Sequence, residues 1–313
     1  MDNQNNSLKK SGGFFNLIKN LFILLLFLQF APSILMNIKK YFQELIIPRT
    51  KVAKLNIKGI INSSTFYIKK MEKFLNDNEI KALLINVDSP GGLPGSSQAI
   101  FNAIKTFKKE KPVVIFSENV CASGAYYFAA AADYIITSPS AMIGSIGVLA
   151  QIPNIKGLLY DWKIKFENIQ SGKYKTAGSP IQDLNKYEEE YLQEISDQAY
   201  KQFINDVAQS RNLNSDDYKK WADGKIFLGT EALKLKLIDQ IGGFQDAVKK
   251  IKELAKIETE IKFVRPKTIS GLAKLFYGED EENSDISYSS KIANFLSEVY
   301  FKFNQKQNNI MIS

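Results

Sequence analysis

Histidine is absent from this 313-residue sequence. That excludes the Ser-His-Asp and Cys-His arrangements, histidine-based zinc sites and any imidazole acid–base step. Cysteine occurs once, at Cys121, so no intramolecular disulfide and no thiolate cluster for a metal can form. A basic stripe with interleaved aromatics, the mark of a nucleic-acid surface, is missing from the part expected to fold. There is also no GxGxxG turn and no P-loop lysine, which argues against a phosphate cradle. No metal, cofactor or nucleic-acid partner is therefore expected.

Hydrophobic residues make up 45% of the chain and charged residues 24%, values ordinary for a globular protein. The net charge of +8 is unevenly placed. Lys9, Lys10, Lys19, Lys39, Lys40, Arg49 and Lys51 stand against Asp2 and Glu44, so residues 1–51 carry +5 of it. These charges flank LFILLLFLQFAPSILM (21–36), which Phe14, Phe15, Leu17 and Ile18 extend upstream. The segment has about the length of a bilayer-spanning helix, and its basic flanks suit anionic lipid headgroups. A cleaved signal peptide is the main competitor, but APS (31–33) puts proline in the middle of a cleavage site. An uncleaved anchor is expected. Basic residues lie on both sides, so charge alone does not orient it.

Beyond the anchor, strand-like and helix-like runs alternate. KVAKLNIKGII (51–61), KALLINVDS (81–89) and VVIFSENV (113–120) read as buried strands. Tyr67, Met71, Phe74 and Leu75 recur at helical spacing, as do Ile100, Phe101, Ile104 and Phe107. PGGLPGSS (90–97) reads as a loop, and the alanine run in CASGAYYFAAAA (121–132) favours helix. YIIT (134–137), GVLAQ (147–151) and KFENI (165–169) read as short strands. Asp183 to about Arg211 reads as a helix that is solvated or packed on a neighbouring subunit. A helix-turn-helix region, an IKFV strand, the acidic run 278–285 and an amphipathic KIANFLSEVYFKF segment complete the chain. This pattern predicts an α/β layer fold around a mainly parallel sheet.

CASGAYY sets a small serine straight after a strand, where either a nucleophile or a helix N-cap could sit. Without histidine, only a lysine, a carboxylate or the terminal amine could activate Ser123. The terminal amine precedes the anchor and is a poor candidate. A lysine serves as a base only when an apolar setting penalises its ammonium. Composition does not choose one among 41 basic residues. SGKYKTAGSP (171–180) is the best stretch to search, since Lys173 and Lys175 alternate after a glycine turn. Cys121 is the other nucleophile to weigh, although a lone cysteine ending an apolar strand is commonly a small buried hydrophobe.

DSPGG (88–92), ASGAYY (122–127), GSIGV (144–148) and SGKYK (171–175) occur together in an order and spacing that resemble the signal peptide peptidase A family. These are membrane-bound bacterial serine proteases, and the resemblance covers roughly residues 50–255. It implies a crotonase/Clp-protease-like α/β fold of repeated ββα layers, with an N-terminal transmembrane helix. The expected division is an anchor over 1–45, a peptidase domain over 50–255 and an extension over 256–313. On the same resemblance Ser123 is the nucleophile, Lys175 its general base and Ser145 the serine that orients the lysine. Ser145 in a simple turn is the alternative. The amides of Gly92 and Gly124 would form the oxyanion hole.

The resemblance further implies peptide substrates, contact with membrane lipid and a catalytic domain outside the cytoplasmic membrane. Short members form a homo-oligomeric ring in which serine and lysine come from adjacent chains. One departure is SGAYY where many members resemble SGGYY, which puts the Ala125 methyl near the expected substrate path. Two other functions fit parts of the pattern. A crotonase-type acyl-thioester enzyme would share the glycine loop, and an inactive membrane scaffold would keep the ring without turnover.

Overall fold

The computed structural model describes residues 16–25, 27–33, 35–36 and 48–266. The acidic run and the KIANFLSEVYFKF segment lie outside them. Two compact units are present, one of Met1–Thr50 with Thr259–Lys262, the other of Lys51–Glu258 with Phe263–Ser313. In the first, helix α1 (Asn16–Ser33) has a mean hydropathy of 1.4 and exposed side chains, and is long and apolar enough to cross a membrane.

Three strand–helix units begin the larger body: β1 (Arg49–Ile61) with α2 (Thr65–Leu75), β2 (Ile80–Gly92) with α3 (Pro94–Phe107), and β3 (Val113–Ala122) with α4 (Gly124–Ala129). β1, β2 and β3 are parallel neighbours, with Leu55, Ile85 and Ile115 in register across them. Ala82 to Ile85 are all fully buried, as expected where helices cover both faces of a parallel sheet. Tyr126, Phe101, Phe107 and Phe128 are the largest side chains sealed in this core.

β3 has two different neighbours along its length. Val114–Ser117 pair with β4 (Tyr134–Thr137), whereas Val120–Ala122 pair with β5 (Met142–Gly144). Glu118 and Asn119, exposed between these stretches, mark the split. Beyond β5 come α5 (Lys156–Asp161), α6 (Lys186–Arg211), α7 (Tyr218–Trp221), β6 (Ile226–Leu228), α8 (Gly229–Lys234), β7 (Gln240–Ile241), α9 (Phe244–Leu254) and β8 (Glu260–Val264). β6 runs antiparallel to β5, and β7 parallel to β4.

The expected α/β layer fold is present, with local differences. The glycine-proline loop shrinks to Leu93, because β2 continues through Gly92 and Pro94 starts α3, where its fixed φ suits a first helical residue. GVLAQ and KFENI are not strands. The strand next to GVLAQ is instead Met142–Gly144, and the chain after it turns away as Gly224 donates its amide to Ile146 at 2.9 Å. α6 starts at Lys186 because Asn185 and Glu188 cap it reciprocally, at 3.1 and 3.2 Å. Its C-terminal half buries Phe203, Ile204 and Val207, while Tyr187, Tyr191 and Ile195 upstream stay exposed. Arg211 holds the far end by a two-pronged contact with Asp239, at 2.7 and 3.0 Å.

Candidate active site

Ser123 occupies the single residue between β3 and α4. Its φ of 52° and ψ of −126° lie where a side chain strains the backbone. Two bonds hold the turn there: the Ser123 amide donates to Gly144 O at 2.7 Å, and Ser123 O accepts from the Tyr127 amide at 2.9 Å. A strained serine between strand and helix is the geometry that lifts a nucleophile clear of its sheet. It stands at the N-cap position of α4, but its side chain accepts no capping bond, so the hydroxyl is not used to cap the helix. The hydroxyl also has no hydrogen-bond partner among the described residues.

Gly92 lies against this turn. A Cβ placed on Gly124 would stand 3.2 Å from the Gly92 nitrogen and would overlap the Ser97 hydroxyl. Successive N–H groups of a strand point to opposite neighbours. Leu93 donates toward β1, to Ile61 O at 2.8 Å, so the Gly92 N–H points to the other side. There β3 has ended and the Ser123 turn begins, since the last β2–β3 pair is Ser89 with Cys121. The Gly124 amide is the first of α4 and has no carbonyl to bond within the helix. Both amides thus border the serine.

A cavity of about 220 Å³ opens beside Ser123. Val148, Leu149, Tyr127 and Phe203 supply apolar walls, and Gln98 and Gln202 supply amides. Tyr127 donates its hydroxyl to Asp206, and its ring stacks on Phe101 at 5.0 Å. Burial, reinforced by Asp206, pushes the Tyr127 phenol well above its ordinary range, so it stays a donor. Ala199, Gln202, Phe203 and Asp206 fall on one face of α6, the helix that the sequence reads as solvated or packed on a neighbouring subunit. Ser97 was missed as well. It is 1% exposed with an unpartnered hydroxyl, and its signal was the four-residue step to Phe101 on the buried face of α3.

Ser145 has a φ of 49°, and its amide donates to Lys225 O at 2.7 Å. Its hydroxyl has no partner among the described residues. Lys175 is not part of the cavity. It sits in an exposed turn, its amide on Gly172 O at 3.2 Å, and its amine forms no ion pair or hydrogen bond among the described residues. Lys173 differs: its amine lies over the Tyr187 ring at 4.3 Å, and Tyr174 between the two lysines stacks on Tyr191 at 4.5 Å. The segment from Leu149 to Ile195 exposes many large apolar side chains, among them Trp162 at 66% and Ile169 at 105%.

At this site one expectation holds and one changes. Cys121 is fully buried and its thiol is pushed far up by desolvation, which leaves no thiolate. Ala125 is also fully buried and turns its methyl into the core, away from the cavity. No group of three or more acidic or cysteine residues among the described residues could hold a metal.

An α/β body that ends one strand on a strained serine, with the Gly92 and Gly124 amides beside it, has an arrangement that serine hydrolases use. The profile of Peptidase family S49 matches residues 105–258. A candidate protease of Methanocaldococcus jannaschii is 38% identical, covering 61% of this chain and 62% of that one. One from Synechocystis is 36% identical over 64% and 72% of the two chains. A candidate signal peptide peptidase of Enterococcus faecium is 32% identical over 66% and 64%. The chain belongs to peptidase family S49, the serine-type family of the signal peptide peptidase A proteins. It spans just under two thirds of the first and third of these relatives. Among solved structures it is similar to a mutant of a membrane-bound stomatin-specific protease, at 18% identity and a TM-score of 0.45, covering 71% of this chain and 100% of that one. The ClpP catalytic domain of Plasmodium falciparum gives 15% identity and a TM-score of 0.41, over 61% and 86%.

Proposed function

We propose that this chain is a membrane-anchored serine endopeptidase with a Ser123–Lys175 dyad, and that it degrades cleaved signal peptides and other membrane-associated peptides. The observation that carries this reading is the strained Ser123 turn, whose hydroxyl has no base beside it among the described residues, while Lys175 is exposed and makes no ion pair or hydrogen bond among them. The lysine then comes from an adjacent copy in a homo-oligomeric ring. The many exposed large apolar side chains in the segment that carries Lys175 support this, since apolar side chains left exposed together mark a contact surface. Enclosure by the neighbour would also strip water from the ammonium and favour the neutral amine a base requires.

In the assembled site the Lys175 amine takes the Ser123 proton as Oγ attacks the peptide carbonyl carbon. The carbonyl oxygen becomes the oxyanion and is held by the Gly92 and Gly124 N–H groups. Collapse breaks the C–N bond, and Lys175 returns the proton to the leaving amine. A water then attacks the acyl-serine, losing its proton to Lys175, and the released Ser123 oxygen regains one. Ser145, whose hydroxyl has no partner among the described residues, would orient the incoming lysine. The apolar walls of the cavity suit leucine-like side chains.

Helix α1 is the proposed anchor, with membrane lipid as its partner and the catalytic body outside the cytoplasmic membrane. A chain lacking residues 1–45 should then stay soluble without detergent and keep its activity. Labelling with a serine-reactive fluorophosphonate tests the peptidase reading. The wild-type chain should be labelled and Ser123→Ala should not. An unlabelled but intact oligomer would point to a scaffold.

A further inference from the structure

The β1–β2 ladder breaks one residue before the proposed oxyanion amide. Leu93 N bonds Ile61 O at 2.8 Å, and two residues earlier the same alternation would bond Gly91 N to Gly59 O. That bond is replaced. The register slips between Lys58 and Ile60, Gly59 takes a φ of +70°, and the Ser89 hydroxyl enters the gap. It donates to Gly59 O at 2.6 Å and accepts from Gly91 N at 3.1 Å. Ser89 is fully buried and its bond from Gly91 lies in the interior, whereas the Gly59 end of the bridge is exposed.

The proton of this hydroxyl is committed to Gly59, which turns its lone pairs toward Gly91. With the Gly91 N–H tied back, the peptide that follows at a φ of +104° cannot rotate freely. That peptide carries the Gly92 N–H. The same glycine is pressed against the nucleophile turn, where an added Cβ would stand 2.9 Å from the Ser123 Cβ. A rotation of this peptide would move the Gly92 donor relative to Ser123 by a distance that matters for an oxyanion.

We infer that Ser89 is a positioning residue for catalysis: its hydroxyl, braced on the bulged Gly59 carbonyl, aims the Gly92 amide at the oxyanion. The inference rests on the peptidase reading above. It predicts a defect in the transition state and not in substrate binding, because Ser89 touches neither substrate nor Ser123.

The test uses the full-length chain in detergent micelles, with kcat and KM for a leucine-containing peptide and Ki for the matching peptide aldehyde. Aldehydes form a tetrahedral adduct and need the oxyanion donors, whereas KM for the peptide does so far less. Folded Ser89→Ala should lose at least about tenfold in kcat with KM within about twofold, and Ki should rise in step with the loss of kcat/KM. Should Ser89→Ala not fold, Gly59→Ala carries the same expectation, since open space surrounds that position and only its φ of +70° is strained, which shifts the carbonyl that braces Ser89. Unchanged kcat and Ki in the folded variant would overturn the inference, as would a rise in KM alone. A wild-type chain that hydrolyses no peptide would overturn the peptidase reading, and this inference with it.

Discussion

A Cβ on Gly91 would meet the amide nitrogen of Gly124 at 2.7 Å, so the glycine loop and the nucleophile turn are packed backbone to backbone. The loop has no side chain there to yield. Gly91→Ala must also hold a φ of +104°, and we expect it to cost about 1–3 kcal/mol of stability and most of the activity. Thermal unfolding and peptide hydrolysis on the folded fraction measure the two losses separately.

Gly124 is restricted by a different neighbour, the Ser97 hydroxyl. Gly124→Ala should therefore be strongly impaired alone and partly restored by adding Ser97→Gly, which removes both side-chain atoms that the methyl meets. A double-mutant cycle should give a favourable coupling of about 1 kcal/mol or more. Strict additivity would contradict the packing described.

Much of this arrangement can be read from the sequence. β1, β2 and β3 are legible because burial on both faces makes their runs continuously aliphatic, and CASGAYY marks the Ser123 turn by its place after such a run. The Gly59–Ser89 bridge is not legible, since it joins residues 30 apart through a strand slip that no local pattern announces. KFENI misleads for a physical reason. Its Phe166 and Ile169 are apolar but face outward, so they look like strand residues while serving a surface.

That surface is testable. Ile169→Asp and Trp162→Asp place charges on highly exposed side chains, so the unfolding midpoint of the single chain should stay nearly unchanged, within about 0.5 kcal/mol. Light scattering should show smaller particles, and peptidase activity should fall with the assembly. Full activity in a dispersed chain would remove the need for a neighbour.

The pH profile follows from the missing histidine. If a lysine amine accepts the Ser123 proton, activity rises as that amine is deprotonated, from acidic through neutral to alkaline pH, with no imidazole limb near 6.5. Lys175→Arg should abolish activity at every pH, because guanidinium stays protonated. Lys173→Arg should keep both the rise and its cation–π seat on Tyr187. Peptide hydrolysis from pH 5 to 10 in the three proteins, with assembly checked at each pH, measures this.

Subunit mixing tests the central claim most directly. Ser123→Ala and Lys175→Ala chains, each inactive alone, are co-assembled in equal amounts. A dyad built between copies leaves about one site in four with an intact serine facing an intact lysine, so about a quarter of wild-type activity should return. If serine and lysine meet within one chain, every mixed site lacks one of them. The mixture would then stay inactive, contradicting the account.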